Sequence, residues 1–189
     1  MKKLFILIIV SIFSTSYAQD KCGTDRWDVK TLTDSASVKI DLSHAAYSTV
    51  FKQTQLASHN EVKGTTPRLE QEKKVYKIRC WLIEFKSEDD RDYHLVIRDN
   101  TRNVTMVAEI CDPTCPGVVN SPAYENFIKV REKFETYFAH KKSKKNITNC
   151  HIQIEGVGFY DKEHGVSPTG NADNNREIHP ITKFTFLKN

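Results

Sequence analysis

Apolar and polar residues alternate with a period of two in five stretches between Val75 and Phe186. This alternation is typical of half-buried β-strands, in which successive side chains point to opposite faces. The predicted strands carry on their apolar faces, in order, Tyr76, Ile78, Cys80 and Leu82 in Val75–Phe85; Tyr93, Leu95 and Ile97; Val104, Met106, Ala108 and Ile110; Ile152 and Ile154, ending at Phe159; and Ile178, Pro180, Thr182, Phe184 and Phe186.

A single helix is predicted between the third and fourth strands, where the apolar spacing changes to three and four residues. Ser121 before Pro122 predicts the helix N-terminus, since serine caps helices and proline favours the first turn. The apolar stripe of the helix comprises Phe127, Val130, Phe134, Tyr137 and Phe138. Spacing of this kind buries one helix face against a core.

Three strands, a helix and two more strands form a mainly β (α+β) chain. A five-stranded OB-fold-like barrel has its helix in this position, and closing the sheet removes its exposed edges. The alternative is an open α+β sheet with the helix on one face. We predict the OB-like barrel domain over residues 72–189, preceded by an irregular, extended N-terminal arm over 19–71 whose anchors are Trp27, Val29 and Leu32.

Residues 1–18 have the three parts of a secretory signal peptide: a basic start, an apolar run over 4–13 and small residues at the end. The apolar run is too short to span a membrane. Because this segment contains two of the 28 lysines and arginines, the mature chain would carry 26 basic and 24 acidic side chains. We therefore expect a secreted or periplasmic protein without a membrane span, in which the charge balance favours no polyanion.

The five cysteines allow at most two disulfides within one chain, in a compartment that permits them. Cys111 and Cys115 could form a disulfide that staples a loop, or half of a metal site. Cys80 and Cys150 lie on the apolar faces of strands that would be neighbours in the barrel, so they could form a bridge or remain as two buried free thiols. The candidate disulfide cysteines are Cys22, Cys80, Cys111, Cys115 and Cys150.

The hairpin register places His94 opposite Glu109 on the face away from the apolar one. His179 has the same parity on the fifth strand, and Glu177 precedes it. We therefore predict an outward-facing cluster of His94, Glu109, His179 and Glu177 as the candidate ligand-binding face. The alternative is a cross-strand charge pair with an unrelated histidine.

Acidic loops are predicted beside this face, at Glu88–Asp92 and from Asp161 onward. Carboxylates repel phosphate, which argues against nucleic-acid binding. They suit a hard divalent cation, for which the candidate ligands are Asp92, Asp161 and His164. The alternative is that these loops are simply solvated, and no cofactor is otherwise expected.

Several strings resemble an uncharacterised family of small secreted bacterial proteins. They are Cys22-Gly23 with Arg26–Thr31, Glu88–Val96, Ala108–Ile110 with Cys115, Gly156–Phe159 with Asp161 and His164-Gly165, and Glu177–Pro180. The chain departs from the family in the loop 171–175, which is more polar than the compact glycine-rich loop expected there. The resemblance implies export and a shared fold and supplies no reaction.

No phosphate-binding glycine loop, serine nucleophile motif or helical pair of histidines occurs in the sequence. We therefore expect a secreted OB-fold-like binding or interaction module for an extracellular or periplasmic ligand. The alternative is a metal-dependent hydrolase, for example of phosphodiesters, using the acidic loops and the histidines. A third hypothesis is a structural envelope protein.

Overall fold

The computed structural model describes residues 22–139, 145–163 and 170–188. The signal-peptide prediction therefore lies outside the described residues. The α-helices are α1 (Trp27–Lys30), α2 (Val50–Thr54) and α3 (Tyr124–Tyr137), and the strands are β1 (Ala46–Ser48), β2 (Val75–Ser87), β3 (Tyr93–Arg98), β4 (Thr105–Ile110), β5 (Lys145–Tyr160) and β6 (Arg176–Phe186). Among the described residues, no helix has both the length and the apolar character needed to cross a bilayer.

The five long strands form a closed ring, in the order β2, β3, β4, β6, β5 and back to β2. All neighbouring pairs are antiparallel except β4 and β6, which are parallel. Strand β1 pairs in parallel with the first residues of β2, Tyr76 to Ile78, in the same sheet. The predicted hairpin register is confirmed, since Leu95 lies opposite Ala108 and His94 opposite Glu109.

A first hydrophobic cluster, here called the inner core, collects side chains from all five ring strands and from α3. Ile78, Leu95, Met106, Ile152 and Ile178 contribute one side chain from each strand, and all are fully buried. Phe134 of the helix lies 5.0 Å, centroid to centroid, from Phe85. Burial on this scale contributes about 25 cal/mol per Å² of apolar surface removed from water.

The N-terminal arm contains short helices as well as irregular backbone. Two of its predicted anchors, Val29 and Leu32, are buried, and Trp27 is half-buried. Leu32 and Ile40 of the arm pack with Cys111, Val118, Phe127 and Val157 in a second hydrophobic cluster, here called the outer core. The arm therefore covers one outer side of the ring.

A buried ion pair holds the arm to the ring. The Arg26 guanidinium donates to both carboxylate oxygens of Glu72, at 2.9 and 2.6 Å, and to the carbonyl oxygen of Tyr160 at 2.7 Å. Glu72 also accepts from the backbone N–H of Tyr160 at 2.8 Å. Both charged side chains are almost completely buried, so each depends on the other for its charge balance.

Three details of the predicted helix and last strand are wrong. Helix α3 begins at Tyr124 instead of at Pro122, and the Ser121 hydroxyl accepts from the N–H of Ala123 in the turn before the helix. In β6, register shifts opposite Gly156 break the simple alternation, so that Ile181 joins the inner core. Tyr137, predicted in the buried stripe, is exposed and stacks on Phe186.

The structure contains one disulfide among the described cysteines, between Cys22 of the arm and Cys115. Cys111, predicted as a possible partner of Cys115, is a buried free thiol, and Cys80 and Cys150 are also free. The register explains the latter pair, because Cys80 lies opposite Ile152 and Cys150 lies opposite Leu82. The two cysteines are therefore not direct cross-strand neighbours.

Candidate functional site

The predicted face of histidines and carboxylates comes together in the structure. His179 Nδ1 lies 2.9 Å from Glu109 Oε2, and His94 Nδ1 donates to Glu109 Oε1 at 3.1 Å. On its other side, His179 Nε2 lies 3.7 Å from Cys111 Sγ and 3.5 Å from Asp92 Oδ2. We call these residues, together with Glu177, the polar cluster: Asp92, His94, Glu109, Cys111, Glu177 and His179.

The prediction that this face looks outward is wrong. His179 is 0% exposed, and Glu109 and Glu177 are each 5% exposed. The reason is the arm: the backbone carbonyl of Lys30 lies 3.6 Å from Cys111 Sγ, and the Arg26 guanidinium lies 4.7 Å from the ring of Phe159, which in turn contacts His179. A sheet face that was predicted to meet solvent is covered by chain from the N-terminal side.

The charges of the polar cluster compensate one another. Burial alone would raise the pKa of Glu109, but His179, His94 and Lys30 together hold it well below the ordinary value. Burial would lower the pKa of His179, yet the Glu109 carboxylate, Asp92 and Cys111 raise it well above the ordinary value. The short Glu109–His179 separation and these opposite pKa shifts both favour the charged forms of the two residues.

Glu177 behaves differently from Glu109. Burial and the nearby charges of Asp161 and Glu109 raise its pKa well above the ordinary value. For Lys30, burial by itself lowers the pKa, whereas the carboxylates of Glu109, Asp161 and Glu177 more than reverse that effect and raise it. The ammonium of Lys30 thus balances the excess of carboxylates at the arm-covered side.

Three groups of side chains in the described part of the chain have ligand atoms close enough to hold one metal ion: Asp92, Cys111 and His179; Glu88, His94 and Glu109; and Glu109, Glu177 and His179. Of the cation ligands predicted from the loops, Asp92 belongs to the first group. Asp161 is half-buried and belongs to none of them, and His164 lies outside the described residues. Cys111 was predicted as a metal ligand only through its spacing from Cys115, and it joins Asp92 and His179 instead.

A different side of the ring remains open to solvent. Trp81 of β2 lies opposite Arg98 of β3 and His151 of β5, so the three side chains share one outer face. The rings of Trp81 and His151 stack with centroids 4.9 Å apart and planes inclined by 27°. Arg79 lies two residues earlier on the same face.

The β3–β4 turn borders this surface, which we call the Trp81 face: Arg79, Trp81, Arg98, His151 and the turn 99–103. A shallow depression of about 270 Å³ is lined by Trp81, Arg98 and the turn residues. No carboxylate of the described residues forms an ion pair with Arg98 or Arg102, and Arg102 instead lies over the ring of Phe51. The residues of this face are scattered over three strands and a turn, so no continuous sequence pattern marks it.

No protein-family model and no curated protein matches this sequence.

Asp99 shapes the turn that borders the Trp81 face. Its carboxylate accepts from the N–H groups of Phe51, Thr101 and Arg102 and from the Thr101 hydroxyl. Burial alone would raise the pKa of Asp99, but these hydrogen bonds lower it below the ordinary value. Asp99 therefore stabilises the fold above the unfolded-state pKa of about 3.9, and this contribution is lost as the pH falls through the folded-state value.

For Asp99→Asn we expect a lower Tm than wild type at neutral pH and a smaller loss of Tm between about pH 6 and about pH 2.5. The physical reason is that the amide cannot lose a stabilising negative charge on acidification. Thermal unfolding followed by circular dichroism over this pH series is the measurement. Parallel Tm curves for the two proteins would contradict the role given to Asp99.

Proposed function

We propose that this protein is a secreted binding module of the OB type that binds acidic oligosaccharides through the Trp81 face. The ring order, the parallel β4–β6 pair and a helix between the third and fourth ring strands support an OB-type barrel. The basic and apolar pattern of residues 1–18, the resemblance to a family of secreted proteins and the Cys22–Cys115 disulfide support export.

The ligand surface of this proposal differs from the one expected from the sequence. OB-folds commonly bind oligonucleotides and oligosaccharides on their second and third strands and adjoining loops. Here the polar cluster on that side is covered by the arm, whereas the Trp81 face is partly open to solvent and combines an aromatic ring with cations. The half-buried stack of Trp81 and His151 on the outer face, beside Arg98, is the observation that carries the proposal.

The chemistry of the Trp81 face suits an acidic sugar. The apolar side of a pyranose ring packs on an indole, which supplies a large contact area. Arginine binds a carboxylate through two parallel hydrogen bonds, and both Arg98 and Arg102 lack a described acidic partner. The side chains of Asn100, Thr101 and Asn103 in the turn provide donors and acceptors for hydroxyl groups.

Oligogalacturonate is the probe for this proposal. We expect saturable quenching of tryptophan fluorescence by oligogalacturonate and none by a neutral maltooligosaccharide of equal length. Trp81→Ala should weaken binding, measured by isothermal titration calorimetry, by about tenfold or more, which corresponds to about 1.4 kcal/mol. Tyr137→Ala, which removes an aromatic ring on α3 that is 54% exposed and lies outside the Trp81 face, is the matched control and should bind as wild type does.

Two outcomes would overturn the proposal. One is the absence of oligogalacturonate binding, or binding that Trp81→Ala leaves unchanged. The other is tighter binding of single-stranded oligothymidylate than of oligogalacturonate, which would make the face a site for nucleic acid, where stacked bases and a basic groove act together.

The metal-dependent hydrolase has less support. A hydrolytic metal must keep an open coordination position that substrate and water can reach. Asp92 and His179 are both completely buried, and the arm lies over them. The same burial suits a structural metal site, whose coordination shell is closed.

A further inference from the structure

We infer that Asp92, Cys111 and His179 form a structural Zn²⁺ site between the arm and the ring. The three residues come from the β2–β3 loop, the end of β4 and β6, which the chain brings together only after folding. Their ligand atoms offer one oxygen, one sulfur and one nitrogen. Zinc binds sulfur and imidazole nitrogen, whereas the hard cations Ca²⁺ and Mg²⁺ bind oxygen ligands.

The separations of the ligand atoms fit a tetrahedral ion. With Zn–S of about 2.3 Å and Zn–N and Zn–O of about 2.1 Å, tetrahedral angles give a sulfur–nitrogen distance of about 3.6 Å and a nitrogen–oxygen distance of about 3.4 Å. The structure has 3.7 Å between Cys111 Sγ and His179 Nε2, and 3.5 Å between that nitrogen and Asp92 Oδ2. These two separations fit a zinc ion, and the third, between Asp92 and Cys111, is no more than 4.8 Å.

One ligand atom of this site also lacks a hydrogen bond. Asp92 Oδ1 accepts from the N–H of Asp112 at 2.8 Å, which fixes the orientation of the carboxylate. Asp92 Oδ2 is completely buried, has no hydrogen-bond partner in the described structure, and faces His179 and Cys111. A buried carboxylate oxygen without a donor is costly, and a cation at this position would satisfy it.

Glu109 has the position of an orienting residue behind the histidine. Its Oε2 is 2.9 Å from His179 Nδ1, which is a hydrogen-bond distance and is shorter than the spacing of two ligands on one zinc ion. The N–H of His179 is not aligned with that oxygen, so a small rotation of the ring would complete the hydrogen bond. Zinc-bound histidines usually donate their second N–H to a carboxylate in this way.

The arm offers a candidate for the fourth ligand. The Lys30 carbonyl oxygen lies 3.6 Å from Cys111 Sγ, which matches an oxygen–sulfur spacing in a tetrahedral site, so the arm can supply an oxygen. Binding displaces the proton of the Cys111 thiol and the proton on His179 Nε2. Zinc with one thiolate, one carboxylate and a neutral imidazole carries no net charge, and Lys30 and His94 remain beside the Glu109 carboxylate to balance it.

Cobalt substitution tests this inference. The protein, stripped of metal with a chelator, is titrated with Co²⁺ and separately with Zn²⁺. We expect one equivalent of Co²⁺ to produce a thiolate-to-cobalt charge-transfer band and the intense visible bands of tetrahedral cobalt, and Zn²⁺ to abolish both. Cys150→Ser is the matched thiol control and should reproduce the wild-type spectrum, whereas Cys111→Ser should lose the charge-transfer band.

Variants outside the ligand set keep the test decisive if Cys111→Ser does not fold. Glu109→Gln should weaken zinc affinity by about 10- to 100-fold, measured by competition with a chromophoric chelator, while the cobalt spectrum keeps its tetrahedral shape. Wild-type protein that takes up no stoichiometric metal, or that gives a cobalt spectrum without a thiolate band, would overturn the inference. Binding of oligogalacturonate is a separate readout, since the Trp81 face shares no residue with this site.

Discussion

Arg26→Ala is expected to lower the free energy of unfolding by about 3–5 kcal/mol, because it leaves the buried carboxylate of Glu72 without its counter-charge. The substitution also removes donors from the backbone carbonyls of Thr66, Pro67 and Tyr160. Urea unfolding followed by circular dichroism gives the free energy from the midpoint and the slope. The arm should detach before the ring unfolds if the ion pair is its main attachment.

The matched control for this prediction is Arg79→Ala, which truncates an exposed arginine on β2. Exposed substitutions of this kind usually change stability by less than about 0.5 kcal/mol. A free energy of unfolding for Arg26→Ala equal to that of Arg79→Ala would contradict the role of the ion pair.

The double variant Cys22→Ala/Cys115→Ala should lose about 2–5 kcal/mol of stability. The disulfide joins residues 93 positions apart in the sequence, so its loss gives the unfolded chain much more conformational freedom. It also frees the start of the arm, and we expect Cys111 to become reactive toward a thiol reagent under native conditions. The measurements are urea unfolding and the rate of Cys111 alkylation followed by mass spectrometry.

Cys150→Ala is the control for the disulfide prediction, because it removes a half-buried free thiol and leaves the arm attached. Its stability should stay within about 1 kcal/mol of wild type. If the disulfide variant keeps wild-type stability and an unreactive Cys111, the arm is held without the disulfide and the prediction is wrong.

The ring strands and their pairing could be predicted from the sequence because the alternation is strong where one face packs in a core. Leu95 and Ala108 were placed opposite each other correctly, since a short polar turn fixes the register of a hairpin. The convergence of His94, Glu109 and His179 followed from the same register and from strand order. Those inferences depend only on local periodicity and on the closure of the sheet.

The covering of that site could not be predicted, because the arm lacks periodicity. Lys30 and Arg26 reach the ring through contacts with residues far away in the sequence. Such contacts leave no repeating pattern in the sequence. The disulfide partner of Cys22 was undetermined for the same reason. A polar strand face is therefore predicted to be solvent-exposed from the sequence. Here the arm buries it, and Lys30 of the arm supplies a positive charge near its carboxylates.

The Trp81 face is a surface that was not predicted from the sequence. Trp81 follows Cys80 within an apolar-looking strand, and nothing in the order of residues sets it next to His151, 70 positions later. Cross-strand register creates the stack and places Arg98 beside it, and the turn 99–103 adds Arg102 and two amides. Surfaces assembled from single residues on several strands need coordinates to be recognised.

Hydrogen exchange with and without oligogalacturonate tests the central claim most directly, because it reports where the ligand binds. We predict slower amide exchange in the turn 99–103 and in the neighbouring segments of β2 and β5 that carry Trp81 and His151, with no change at Asp92 or Glu177. Protection confined to the loop 88–92 and the segment 170–177, with the turn unchanged, would contradict a binding site on the Trp81 face.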